Sequence, residues 1–233
     1  MILKNNLNPE KIKLLVFDLD GCITRWIDIP TFFANTFYSF GINYEQEYEK
    51  AIFAAMNDFK INSMLSYQFN VEEYAWFLGK NLPILIQYNI SVYDFMRRMF
   101  ELEIENIFIT NDSVSTLESL KRKYLLIIKT DWFQEQAEKK LDRFNLRPYF
   151  VNIHSWTNSH FKQTKAGYEF LLYTYKIVPE EFVMIGNEKT DIKFARKSQS
   201  ILMDYQEQNG PQYFGATSAC SEFEDLKRIL IKD

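Results

Sequence analysis

Apolar positions along this chain follow two periodicities. Short continuous apolar runs occur at Leu14–Phe17, Leu125–Ile128 and Phe182–Ile185, with weaker ones at Tyr149–Ile153 and Ile201–Met203. Runs of this length, bounded by polar residues, read as strands buried on both faces. Between them the apolar residues recur every third or fourth position, over Val114–Lys123, Phe133–Phe144, Ala166–Tyr175, Ile192–Lys197 and Ser221–Ile231. That spacing is the signature of helices with one apolar face. Strands alternating with helices predict an α/β core, a parallel sheet with helices on both faces.

One stretch lacks the strand pattern. Over residues 25–105 the apolar positions keep helical spacing throughout: Phe32, Phe33, Phe37 and Phe40, then Tyr48, Ile52, Ala55 and Phe59. Val71, Tyr74, Ala75 and Leu78 continue it, as do Val92, Phe95, Met96 and Met99, with Gly41, Gly79 and Pro83 as breaks. The pattern predicts an inserted all-helical domain of at least four helices. The division expected is therefore 1–24 and 106–233 for the core, and 25–105 for the insert.

The strand ends carry the candidate chemistry. Leu14–Phe17 runs directly into Asp18, Leu19, Asp20 and Gly21. Two carboxylates this close repel each other unless a cation intervenes, so the segment suggests a metal site, an acid/base pair, or both. A calcium loop also begins Asp-x-Asp-Gly, but it needs oxygen ligands at alternating positions and a closing glutamate. Cys22, Ile23 and Trp26 do not fit it. The strand at Leu125 ends in Lys129, Thr130 and Asp131, and the strand at Phe182 ends in Gly186 and Asn187. In open parallel sheets ligands bind outside the carboxyl ends of the strands, so four short polar groups from these three strands are expected to share one crevice.

Composition narrows the partners. The net charge is −4, which gives no electrostatic footprint for nucleic acid. The insert holds eleven acidic and six basic residues and 19 of the 39 aromatics. Its acidity disfavours large polyanionic substrates, and its aromatics are expected mainly to fill its own core. Two cysteines, Cys22 and Cys220, lie far apart, which suits a reducing compartment better than a disulfide framework. Cys22, with no histidine beside it, reads as a small buried filler. The polar stretch Met1–Lys13 is not a signal peptide by pattern, and no segment is apolar for long enough to cross a bilayer. A cytoplasmic protein without a membrane partner is expected.

The motif Asp18-x-Asp20-Gly21-x-x-Thr24 resembles the first motif of the haloacid dehalogenase-like hydrolases, in the branch with a helical cap between the first and second motifs. Thr130 matches the second motif, a Thr or Ser closing an apolar strand. The third is a lysine opening a later helix: counting back from Pro179 and Tyr168 selects Lys162, with Lys165 as the alternate and Gln163 in place of the usual proline. The fourth, normally Gly-Asp with a second acid three or four residues on, reads Gly186-Asn187-Glu188-Lys189-Thr190-Asp191. Asn187 thus replaces the first acid, while Asp191 keeps the second place.

The resemblance implies a Rossmann-like core with a helical cap, and phosphoryl transfer. Asp18 would attack phosphorus to form an aspartyl-phosphate, and Asp20 would act as acid and base. Thr130 and Lys162 would hold the phosphoryl group. Magnesium would sit among Asp18, Asp20, Asn187 and Asp191, weakened by the missing charge at Asn187. Dehalogenases of the superfamily lack an acid at the position of Asp20, so a magnesium-dependent phosphatase acting on a small phosphorylated substrate is favoured. Phosphonate hydrolysis would need a Schiff-base lysine from the insert, and among Lys50, Lys60 and Lys80 none stands out. The alternatives are a sugar phosphomutase and a regulatory member whose turnover is weakened by Asn187. Trp132 could line the crevice, but packing at its helix start is the simpler expectation.

Overall fold

A computed structural model describes residues 7–66, 71–205 and 213–231. The start of the polar N-terminal stretch, residues 1–6, lies outside them. Strand β1 (Leu14–Phe17) leads through a tight loop to β2 (Arg25–Trp26). Helices α1 (Ile29–Tyr38), α2 (Gln46–Ser66), α3 (Val71–Asn81), α4 (Ile84–Gln87) and α5 (Val92–Glu105) follow. The chain returns through β3 (Ile107–Phe108), which pairs with β2. Then come α6 (Ser113–Lys121), β4 (Leu125–Lys129), α7 (Gln134–Arg143), β5 (Asn152–His154), α8 (Trp156–Ser159) and α9 (Lys165–Tyr175). The chain finishes with β6 (Phe182–Gly186), α10 (Lys189–Ala195), β7 (Gln199–Met203), β8 (Ser218–Cys220) and α11 (Asp225–Leu230).

Six strands form one parallel sheet in the order β5-β4-β1-β6-β7-β8, the Rossmann-like α/β arrangement expected. Leu14 pairs with Leu125 on one side and Phe182 on the other, and Phe17 pairs with Ile128 and Ile185. This register brings the polar residues after β1, β4 and β6 to the same end. All four side chains of β1 are fully buried, each contributing about 1.5–3 kcal/mol relative to exposure. They divide with period two. Leu15 and Phe17 pack with Leu117, Leu120, Ala137, Leu141 and Leu226. Leu14 and Val16 pack with Tyr168, Leu171 and Phe194 on the other face. From β1 the chain proceeds to one side of the sheet and from β6 to the other, so the topological switch point falls between these two strands.

The chain divides into two compact units, residues 1–25 with 108–233, and residues 26–107. The second is the inserted helical unit. Its aromatics largely pack on one another: the Phe37 ring lies 4.9 Å from Tyr48 and 5.0 Å from Phe95, and Phe59 lies 5.4 Å from Tyr74. Trp76, Ile86 and Tyr93 face solvent.

Some element bounds differ from the periodicity. The apolar run at Tyr149 is strand only from Asn152, because Pro148 lies in a 3₁₀ turn, Arg147–Tyr149; proline fixes φ and gives no amide to a ladder. Helix α10 begins three residues before its first apolar residue, because its first turn is polar. The last helix starts at Asp225 rather than Ser221. Strand β8, Ser-Ala-Cys, carries no hydrophobic signal long enough to detect.

Candidate active site

The loop after β1 is held mainly by its own main chain. Asp18 N–H donates to the Ile185 carbonyl at 2.8 Å, tying the end of β1 to β6. Thr24 N–H donates to the Leu19 carbonyl at 2.9 Å, and Gly21 N–H to the Thr24 carbonyl at 2.7 Å. The Thr24 hydroxyl lies 3.1 Å from the Leu19 carbonyl and 3.2 Å from Asp20 Oδ1. Thr24 therefore closes the loop and steadies the second acid. Gly21 has φ of +82°, a left-handed conformation natural to glycine. A methyl group there would overlap the side-chain amide of Asn187, so the glycine also lets the β6 loop approach.

Lys162 is the centre of the site. It is buried, and its ammonium contacts Asp18 Oδ1 and lies 2.7 Å from Asp191 Oδ1. Its main-chain N–H donates to Asp131 Oδ1 at 2.9 Å. Lys165, the alternate, points away: it is exposed and pairs with Glu169, one helical turn on, at 2.8 Å. Asp191 is buried in the first turn of α10, where its Oδ2 accepts the Glu188 N–H at 2.9 Å. A methyl group at Gly186 would overlap the Asp191 carboxylate. Thr130 is buried at the end of β4, its N–H donating to the His154 carbonyl at 3.0 Å.

Burial raises the Asp18 carboxyl and neighbouring Asp191 raises it further, so it stands well above the usual carboxylate range despite Lys162. Burial alone would lower the Lys162 ammonium, but Asp18, Asp191 and Asp131 hold it well above the usual lysine range. These directions conflict, since a lysine held high needs ionised partners. The contacts decide for a charged lysine, because one ammonium touches two carboxylates. Cys22 is buried, its Sγ 3.6 Å from the Ile185 carbonyl, and burial, then Asp18, push its thiol up; it is an inert filler.

Two contributors have a role that the sequence does not assign. Asp131 seats the main chain of Lys162. Lys140, fully buried on α7, lies 2.6 Å from Asp20 Oδ1. Its only sequence signal is position: Lys140 shares the buried face of α7 with Gln136, Ala137 and Leu141, an uncommon place for a lysine.

A cation has partial provision here. Asn187 Oδ1 is buried and has no hydrogen-bond partner, an oxygen suited to a hard cation. Among the described residues no three His, Cys, Asp or Glu side chains gather as a metal cluster, and Lys162 and Lys140 engage the carboxylates present. Counting Asp131 and Lys129, which also interact with Lys162, four carboxyl groups (Asp18, Asp20, Asp131, Asp191) face three lysines (Lys129, Lys140, Lys162), a balance that a cation would correct.

A family model for haloacid dehalogenase-like hydrolases matches residues 12–199. The chain belongs to the haloacid dehalogenase-like hydrolases. No curated protein sequence matches it. Among solved structures it is similar to a candidate HAD-hydrolase, YfnB, from Bacillus subtilis bound to magnesium, with TM-score 0.69, 17% identity, and 95% of this chain and 99% of that one covered. It is also similar to a dehalogenase solved with an intermediate complex, organism unstated, with TM-score 0.73, 15% identity and coverage of 96% and 99%. A third is a predicted phosphoglycolate phosphatase from Haemophilus somnus, with TM-score 0.66, 15% identity and coverage of 94% and 98%. At these identities the likeness establishes the fold, and within this hydrolase family the particular reaction rests on the chain's own residues.

Proposed function

We propose that the protein is a magnesium-dependent phosphatase acting on a small phosphorylated metabolite. The observation carrying this reading is one buried ammonium, Lys162, held between Asp18 and Asp191 at the carboxyl end of the sheet. A phosphoryl group brings dense negative charge towards an anionic nucleophile, and fixed positive charge must offset it. Lys162 supplies that charge beside Asp18.

In the proposed reaction an Asp18 carboxylate oxygen forms a bond to phosphorus as the ester P–O bond breaks. Asp20 gives its proton to the departing alkoxide. Water then attacks the same phosphorus, losing a proton to Asp20, and orthophosphate leaves as Asp18 is regenerated. The Thr130 hydroxyl and Lys162 donate to phosphoryl oxygens. Asp18, the main-chain carbonyl of Asp20, and Asn187 Oδ1 would hold magnesium. Asp191 is better suited to orient Lys162, since both its oxygens already accept hydrogen bonds. When bound, magnesium supplies positive charge to the phosphoryl oxygens and to Asp18. The helical unit serves as a cap that selects substrate and excludes water.

Asp20 favours this chemistry over dehalogenation, because attack on carbon requires no acid to protonate an alkoxide. The test is phosphate release from a panel of phosphate esters, with and without magnesium, beside Asp18→Asn. Magnesium-dependent release that Asp18→Asn abolishes is the expected result. No release from any ester, together with no magnesium binding by calorimetry, would sink the reading. A phosphomutase would instead return phosphate to a sugar phosphate rather than to water.

A further inference from the structure

Lys129 is the last residue of β4 and immediately precedes Thr130. It is fully buried, an uncommon state for a lysine. Its ammonium donates to the His160 carbonyl at 2.6 Å and lies 3.5 Å from the Thr130 carbonyl. Burial pushes it down to about 8, against the pull of Asp131 and with the repulsion of Lys162. An apolar side chain on this strand would avoid the desolvation that a buried ammonium suffers. Sheet stability therefore does not account for the lysine.

The partner carbonyl belongs to a strained residue. His160 has φ of 67° and ψ of 161°, a region that residues with side chains rarely adopt. Such a conformation persists only where its surroundings hold it. Two residues later, the Lys162 N–H is held at 2.9 Å by Asp131 Oδ1. The two residues flanking Thr130 thus grip the His160–Lys162 loop from its two ends.

We propose that Lys129 is a positioning residue that, together with Asp131, clamps the His160–Lys162 loop to the end of β4 and sets Lys162 against Thr130. Lys129 does not touch the phosphoryl group; it acts through the His160 carbonyl. The inference rests on the proposed function in giving Thr130 and Lys162 a phosphoryl ligand, but the clamp itself is a matter of loop geometry.

The experiment compares wild type, Lys129→Met and Asp131→Ala by three measurements: thermal unfolding, hydrogen–deuterium exchange over residues 155–164, and inhibition by inorganic orthophosphate of p-nitrophenyl phosphate hydrolysis. For Lys129→Met the expected result is an unfolding temperature no lower than wild type. Exchange in the loop should be faster, and the orthophosphate inhibition constant should rise about tenfold or more, since small misplacements of catalytic groups weaken catalysis by such factors. Asp131→Ala should reproduce the exchange and inhibition changes, and it carries the test should Lys129→Met fail to fold. Unchanged exchange and inhibition in the folded variants would overturn the clamp. So would a lowered unfolding temperature in Lys129→Met with both other readouts unchanged, which would mark Lys129 as structural. If wild type neither hydrolyses the ester nor responds to orthophosphate, the phosphatase reading fails instead, and the exchange measurement still decides the clamp.

Discussion

Asn187 stands where the family pattern has an acid, and its Oδ1 is the unpartnered oxygen of the site. If it ligates magnesium, restoring a full negative charge there strengthens the cation's hold. Even in a water-like dielectric, a unit charge a few ångströms from a divalent ion contributes about 2 kcal/mol. Asn187→Asp should therefore lower the magnesium concentration for half-maximal activity about tenfold or more. A magnesium titration of the rate checks this, and an unchanged midpoint would remove Asn187 from the ligand set. Lys140 offers a second residue-scale prediction. Its ammonium, with the Thr24 hydroxyl, fixes Asp20 Oδ1. Lys140→Met should lower kcat with KM little changed, since a general acid–base group contributes about 10²–10⁴-fold and a loosened one loses part of that. Lys140→Arg should recover some of the loss. An equal fall in kcat from a variant of an exposed lysine, such as Lys139→Met, would show the effect to be nonspecific. Asp18 and Asp20 were legible in the sequence because they directly follow an apolar run, and Asp191 through the resemblance to the family's fourth motif. Lys129 and Lys140 were not, because a lysine's ordinary place is in water and only its register on strand or helix says otherwise.

Strand and helix boundaries decide where these side chains stand. Helix α10 is short, and its start is fixed by Asp191 accepting the Glu188 N–H. The apolar pattern missed this turn and placed the helix at Ile192, because a cap is written in polar residues. The same carboxylate leans on Gly186 so closely that a methyl group there would overlap it. Gly186→Ala should displace Asp191 from both Glu188 and Lys162, costing about 1–3 kcal/mol as an overpacked site and most of the activity. Denaturant unfolding beside a rate assay checks it; wild-type activity would mean that Asp191 does not orient Lys162. The strands β1, β4 and β6 were legible because each is a near-continuous apolar run buried on both faces. Strand β8 was not, because three small residues at a sheet edge read as loop.

Among the described residues, burial holds His154 and Lys129 below their ordinary values, and each makes the stability of the whole molecule depend on pH in its own window. His154, on β5, bonds to the Tyr175 hydroxyl at 2.7 Å, and burial, then Lys129, push it down to about 4. In the unfolded chain it titrates near 6.5. Between these values the unfolded chain takes up a proton that the folded one refuses, so stability falls as pH drops from about 6.5 to 4. His154→Gln should flatten that fall by about 2 kcal/mol, after allowance for partial solvent access. Lys129 acts in the alkaline window with the same sign. Its folded value is about 8 against an ordinary 10.5, so between them the unfolded chain again binds the extra proton. Stability contributed by this group therefore rises from pH 8 to 10.5, by about 3 kcal/mol. Other groups titrate over the same range, so the quantity to measure is the difference between wild type and Lys129→Met in urea unfolding at several pH values. At pH 7 the variant should be the more stable, and the gap should close as pH approaches 10.5. A gap independent of pH would mean that Lys129 keeps its ordinary titration in the folded protein, its burial offset by its hydrogen bonds or by solvent.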